Sequence, residues 1–364
     1  MVRGEQGRGA AAEEGWGWVK IILERRRKAF KLSRLHPFNI PMKFPLFSVL
    51  LVVLAVFSGC KKSPESRSEG SPGGAEKGTI GVSLLALDNP FFKVIGDKIA
   101  SEGKKQGYEV VVVSADKDVA KQSNQIKDFI VKKVSAIVLS PCDSKSIIPV
   151  IQAANAAGIP VFTVDIPCNE PGVKIVTQIA TDNFSGGKEA GGAMIEALGE
   201  AGGKIAILHL KQAESCILRV KGFREVIEAH NAKGAGQVEI MAELESGGAK
   251  EGGFRATEDV IQAHPDLRGI FAINDPAALG ARAALEKAGK TRVLIVGFDG
   301  QPEGKQAIKE GKIYADPIQF PDKMGEEVVK AINRNSKGET LPAQMLIPTS
   351  LYRQADALKD PALK

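Results

Sequence analysis

The chain has 364 residues, 43% of them apolar, with 49 Lys and Arg against 43 Asp and Glu, a formal charge of +6. That length and apolar share suit a soluble α/β protein with room for two real cores, not a disordered or fibrous chain. Much of the positive charge lies before residue 60, so composition argues against nucleic acid as a partner.

Residues 1–41, with Arg25-Arg26-Arg27-Lys28, do not resemble an export signal and are expected to be untranslated leader, translation starting at Met42. Residues 42–60, MKFPLFSVLLVVLAVFSGC, have the layout of a lipoprotein signal: a short basic start, an apolar run from Phe44 to Phe57, and small residues before Cys60. Phe57 stands where such signals usually carry Leu. An uncleaved membrane anchor is the other reading, although the run is shorter than the roughly 20 residues a spanning helix needs. Cleavage would leave Cys60 as the lipid-bearing first residue, and both tryptophans, Trp16 and Trp18, would be lost with the leader. Residues 61–78, KKSPESRSEGSPGGAEKG, have no apolar anchor and predict a disordered tether.

From Thr79 short β-rich runs alternate with longer amphipathic segments, which predicts parallel βαβ units. Strands are expected at 80–84, 109–114, 136–139, 161–164 and 175–179, then at 204–208, 237–244, 269–273, 293–298 and near Ala315. Helices are expected at 91–106, 119–132, 147–157, 187–198, 220–230, 253–264, 277–288 and 302–310, and again at 322–334, before a strand-like 344–348. Two successive parallel sheets of about five strands each mean two doubly wound α/β domains. The expected division is 79–181 plus 320–348 for the first and 182–319 plus 349–364 for the second.

In such sheets the ligand lies beyond the carboxyl ends of the strands. The residues there are polar or aromatic: Asp88-Asn89-Pro90-Phe91-Phe92, Ser140-Pro141-Cys142-Asp143, Asp165, then Arg219, Asn274-Asp275, Phe298-Asp299-Gly300 and Gln319. A polyhydroxylated ligand needs this mixture. Each buried hydroxyl requires both a donor and an acceptor, and one left unpaired costs about 1–3 kcal/mol. Asp and Asn accept, Arg donates, and the rings of Phe91, Phe92 and Phe298 can cover the C–H face of a sugar. Taken singly, Asn89 and Asn274 also suit helix caps, Phe92 suits the core, and Asp165 and Asp299 suit turns. Their position on one topological edge is what joins them.

Cys142, Cys168 and Cys216 form no CxxC pair and sit near no histidine at ligand spacing, so zinc is not expected. Either Cys142 and Cys168 pair as a disulfide or all three are small apolar residues. No GxGxxG follows the first strand, and no Walker loop or GxSxG elbow occurs, so neither catalytic residues, a cofactor nor a metal is expected. Gly186-Gly187 and Gly247-Gly248 read as loop glycines.

Together these segments resemble the periplasmic sugar-binding proteins of the ribose-binding type, the solute-binding partners of ABC importers. The likeness runs from about Thr79 to Leu351, through DNPFF (88–92), AIVLSPCDS (136–144), GIPVFTVD (158–165), ATDNFSGGKEAG (180–191), RVKGF (219–223), AHPDLRGIFAINDPAALGARAAL (263–285), VGFDGQPEG (296–304) and IQFPDKMG (318–325). The resemblance implies a type I binding-protein fold whose domains close on a monosaccharide by a hinge of several strands. Asn89, Phe91 and Phe92 match the family's first loop, and Asp165, Arg219, Asn274, Asp299 and Gln319 its hydroxyl-binding set. Ser140 stands where ribose binders carry Asn, Ile166 where they carry Arg, Leu85 where they are polar, and the segment LESGG (244–248) lacks an aromatic they have. The pocket has therefore exchanged donors for apolar surface, which implies a sugar other than ribose, such as a deoxysugar whose methyl meets Leu85 or Ile166.

The partners so implied are an inner-membrane ABC permease and, through Cys60, a membrane; the working unit is a monomer in the periplasm or at the cell surface. A binding protein serving a chemoreceptor or sensor kinase is the alternative. A sugar-responsive repressor of this fold would need a helix-turn-helix before Thr79, where this chain has an apolar segment and a Gly/Ser/Pro stretch.

Overall fold

The computed structural model describes residues 77–234 and 236–363. The expectations for residues 1–41, the signal ending at Cys60, and 61–76 lie outside the described residues. Lys77 and Gly78, expected to belong to the tether, are instead tied to the fold: the Lys77 N–H donates to Gly107 O at 2.9 Å and its ammonium lies over the Tyr108 ring.

The first half runs β1 (Thr79–Leu84), α1 (Pro90–Lys105), β2 (Glu109–Ser114), α2 (Val119–Val131), β3 (Ala136–Leu139), α3 (Ile148–Ala156), β4 (Val161–Val164) and β5 (Gln178–Thr181). The second runs α4 (Asn183–Leu198), β6 (Gly203–His209), α5 (Glu214–Asn231), β7 (Val238–Glu245), α6 (Lys250–Ala263), β8 (Gly269–Ala272), α7 (Asp275–Lys287), β9 (Leu294–Val296), α8 (Pro302–Lys309) and β10 (Ala315–Ile318). Then follow α9 (Pro321–Asn335), β11 (Gln344–Ile347) and β12 (Ser350–Arg353). Each crossover helix returns the chain to the same end of its sheet, so the loops after the strands gather along one edge.

Two six-stranded sheets result, in the orders β11-β5-β4-β3-β1-β2 and β12-β10-β9-β8-β6-β7. Every pairing is parallel except β10 with β12. The central strands are apolar on both faces, as helix-covered parallel sheets require: the consecutive Ile137, Val138 and Leu139 of β3 and Ile270, Phe271 and Ala272 of β8 are fully buried. The chain passes between the two sheets three times, after β5, after β10 and after β11. α9 goes back to the first sheet's side, where Gly325 lies against Ile95 of α1.

The fold is therefore α/β, with two parallel-dominated sheets each flanked by helices. Several elements differ from the sequence expectation: β12 was not expected at all, and three others are instructive. β5 begins at Gln178 rather than 175, because pairing with β11 starts where the Gln178 N–H meets Ala343 O at 3.0 Å. α5 begins six residues before Val220, its Ala213 cap offering no side-chain hydrogen bond and hence no signal. α4 begins at Asn183, and Gly186 and Gly187 lie inside it rather than in a loop. They are small for a packing reason: a Cβ on Gly187 would sit 2.0 Å from Arg219 O, and one on Gly222 of α5 2.0 Å from Phe184 O. Two helices in such close contact need bare backbone at the crossing.

The disulfide alternative is not realised. Cys142, Cys168 and Cys216 are free and buried, and the Cys168 thiol turns to Ser144 O at 3.2 Å.

Candidate functional site

The carboxyl edges of the two sheets face each other across a closed cleft. Ser144 N donates to Gln212 O at 3.1 Å, Glu214 N to Ser144 Oγ at 3.2 Å, and the Lys117 ammonium to Gly247 O at 3.4 Å, each bond joining one lobe to the other. Inside is a small cavity of about 40 Å3.

Nine of the eleven expected ligand residues line it: Asn89, Phe91, Phe92, Asp165, Ile166, Arg219, Asn274, Asp299 and Gln319. From the first lobe, Asn89 caps α1 by accepting the Phe91 N–H at 3.0 Å, so the same turn that starts the helix holds both phenyl rings at the cleft. Phe91 and Phe92 are buried and meet edge to face, centroids 5.4 Å apart. Asp165 closes β4 in a left-handed conformation with φ 66°, strained for a residue with a side chain. Its carboxyl is buried and Oδ1 has no hydrogen-bond partner. Burial drives its pKa from 3.8 up to about 7, against the pull of Arg219.

From the second lobe, Arg219 of α5 is held on three sides. Its Nε donates to Asn183 Oδ1 at 2.8 Å, and its Nη1 to Ile273 O at 2.6 Å and to Asp299 Oδ1 at 3.0 Å. The guanidinium lies 3.9 Å above the Phe298 ring. Asp299, also left-handed at φ 106°, accepts from Gln319 Nε2 at 2.6 Å and from Gln301 Nε2 at 3.3 Å. Gln319 in turn accepts the Thr181 hydroxyl at 2.6 Å, linking the site to the first crossing between lobes. Asn274 caps α7 and donates to Gly248 O at 3.0 Å, so part of its amide is already engaged within the lobe.

Two expected ligand residues stand elsewhere. Phe298 is fully buried beneath Arg219 and against Gly186, so it supports the guanidinium instead of facing a ligand. Ser140 is fully buried behind Gln122, whose amide donates to Ser140 O at 2.9 Å, and is outside the cavity lining. Its hydroxyl is buried without a hydrogen-bond partner. The sequence reading passed over Lys117, Ser215, Cys216, Gly247 and Gly248, which also line the cavity. A signal existed for two of them: Ser215 and Cys216 lie four and three residues before Arg219, on its helix face.

The cavity thus has a polar wall (Asp165, Arg219, Asp299, Gln319) and an apolar one (Leu85, Phe91, Phe92, Ile166, Leu210). No group of three or more His, Cys, Asp or Glu among the described residues is arranged to hold a metal ion. The arrangement provides paired acceptors, a fixed charged donor and flat apolar rings, groups that can hydrogen-bond hydroxyls and cover C–H faces.

A family model described as periplasmic binding protein domain matches residues 80–340. The ribose import binding protein of Salmonella typhimurium is 33% identical over 275 residues, covering 76% of this chain and 90% of the relative. The D-apiose import binding protein of Paraburkholderia graminis is 35% identical over 284 residues, covering 77% and 88%. Among solved structures, an ABC transporter solute-binding protein from Mycobacterium smegmatis with bound glycerol superposes with a TM-score of 0.72 at 30% identity, covering 78% of this chain and 96% of that one.

Proposed function

This chain belongs to the periplasmic binding protein domain family, among the sugar-binding solute-binding proteins of ABC importers, and on that premise we propose that it captures one monosaccharide between its lobes and hands it to a membrane permease. The observation that carries this reading is Asp165 Oδ1: a buried acceptor without a donor, held by a strained backbone at the cavity, opposite a guanidinium already fixed by Asn183, Ile273 and Asp299. A ligand hydroxyl donating to Asp165 would supply the missing partner.

The ligand differs from ribose in having an apolar edge. Relatives are named for ribose and D-apiose import, but here Leu85 and Ile166 face the cavity where a hydroxyl would need donors. A deoxysugar methyl fits that wall. Residues 79–181 with 320–348 act as one lobe and 182–319 with 349–364 as the other, closing as a hinge on the three crossings. Lipidation of Cys60 would keep this monomeric binder at the membrane face in the periplasm or on the cell surface.

A thermal-shift screen of the full chain in mild detergent against pentoses, hexoses, deoxysugars and polyols tests both levels. A ligand at 100 times its Kd adds about 2.7 kcal/mol of stability. A shift with fucose or rhamnose well above that with ribose supports the deoxysugar reading, ribose giving the larger shift overturns it, and no shift with any sugar overturns the monosaccharide reading.

A further inference from the structure

Behind the polar wall two carboxyl groups face each other without a cation. Asp275, at the start of α7, is 1% exposed, and Asp316, in β10, is fully buried. The two side chains lie within hydrogen-bonding reach of one another. Asp275 Oδ2 accepts the Gln301 N–H at 2.5 Å, but Asp275 Oδ1 and both oxygens of Asp316 have no donor. Three orphaned carboxylate oxygens in one buried place would cost several kcal/mol if both groups were ionised.

Glycine backbone packs against two of these orphaned oxygens. A Cβ added to Gly304 would lie 2.0 Å from Asp275 Oδ1, and one added to Gly297 would lie 2.4 Å from Asp316 Oδ1, so backbone is packed directly onto the oxygens. The Gly297 N–H is already given to Ala315 O at 3.1 Å. A hydrogen on one of the carboxyls themselves would turn two facing acceptors into a donor and an acceptor.

We infer that Asp275 and Asp316 hold one proton between them, and that this proton fastens the strand leading to Gln319 onto the helix whose cap is Asn274. The pair is a pH-sensitive positioning device for the cleft and touches no ligand itself. The other charged group bearing on both is Asp299, from the loop after β9, whose charge is met by Arg219. From β12, Tyr352 pairs with Asp316 in register, but its hydroxyl turns to Asp360 at 2.8 Å. From α7, Arg282 points to the carbonyls of Lys312, Thr291 and Val293. From the cap of α8 the Gln301 N–H is the donor that arrives. No described residue brings a cation to either carboxyl.

Burial, with the Asp316 charge beside it, raises Asp275 well above the usual carboxyl range; burial, with the Asp299 charge, raises Asp316 to about 6, while its hydrogen bond with Asp275 pulls the other way. Raised values in the folded state mean stability present at low pH and lost as pH rises through them, by release of the shared proton to solvent.

The test compares the full-length wild type with Asp316→Asn, by the melting temperature from pH 5 to 9 and by the infrared carboxylic-acid band at neutral pH. No ligand is needed, so the outcome is independent of the sugar reading. An Asn amide can donate to Asp275 permanently. The expected result is a melting temperature that falls with pH less steeply in D316N than in wild type, and an acid band present in wild type but diminished in D316N. Asp165 contributes its own band and slope, and the difference between the two proteins cancels it. Equal slopes or an undiminished band overturn the inference. Should D316N not fold, Asp275→Asn is measured in the same way, and wild type carrying no acid band beyond that lost in Asp165→Asn overturns it as well.

Discussion

At the scale of single residues, Arg219 and Asp165 are opposite cases of one rule, that a buried charge must be partnered. Arg219 is partnered by protein: removing it in R219A would strand Asp299 and is expected to destabilise the fold by about 3–5 kcal/mol, read as a lowered midpoint in urea unfolding, with binding abolished. Asp165 lacks such a partner and has its pKa near 7. Because that value is raised, the free protein keeps a proton there that the unfolded chain has lost, and this contribution to stability disappears as pH rises through 7. A sugar hydroxyl donating to the ionised carboxylate reverses the preference. Affinity measured by calorimetry should therefore rise between pH 6 and 8, and D165N should remove that dependence; an unchanged profile in D165N would count against Asp165 as the acceptor. Strand-end position made Asp165 legible in the sequence, whereas Arg219, which lies inside α5, was legible only through the RVKGF segment (219–223). The strand-end argument misplaced Ser140 and Phe298, because it identifies which edge a residue occupies but not whether its side chain points out of that edge or under it.

At the scale of elements, the contact of α4 with α5 holds the donor of the site. Gly187 and Gly222 bring the helices close enough for Asn183 to reach the Arg219 Nε. G187A forces a methyl onto Arg219 O and is expected to cost about 1–3 kcal/mol and to weaken ligand binding together with stability. G192A, on the same helix with nothing within 4 Å of its added Cβ, should be neutral or stabilising by up to about 1 kcal/mol. Paired thermal melts distinguish the two. The sequence reading took Gly186-Gly187 for loop because glycine spacing alone does not separate a breaker from a close approach. β12 was missed for a related reason: Ser350–Arg353 has only four residues, with Leu351 and Tyr352 its apolar pair, and becomes a strand by adding antiparallel to β10.

At the scale of the whole molecule, the closed cleft rests on few contacts between lobes, which suits a hinge whose balance a ligand can tip. The Lys117 ammonium reaches Gly247 O across the mouth, beside the glycines that replace a side-chain wall. K117A is expected to leave the melting temperature of the free protein within a degree or two while speeding sugar release several-fold, measured by stopped-flow fluorescence or competition; an unchanged release rate would show that the mouth is closed by other groups. On the proposed anchoring, C60A should move the protein from the membrane fraction to the soluble one, which fractionation and immunoblotting would show.

The alternation of apolar strands and amphipathic helices determined the two-sheet α/β architecture by itself, since period and punctuation are local properties of a chain. It also determined most of the cavity's residues, since a parallel sheet sends every loop after a strand to one edge. What only the tertiary structure decided depends on contacts between residues far apart in sequence: that Phe298 lies under Arg219, that Lys117 bridges the lobes, and that Asp275 meets Asp316. Pairings of this kind are set by how the lobes and helices pack, and no window of sequence contains both partners.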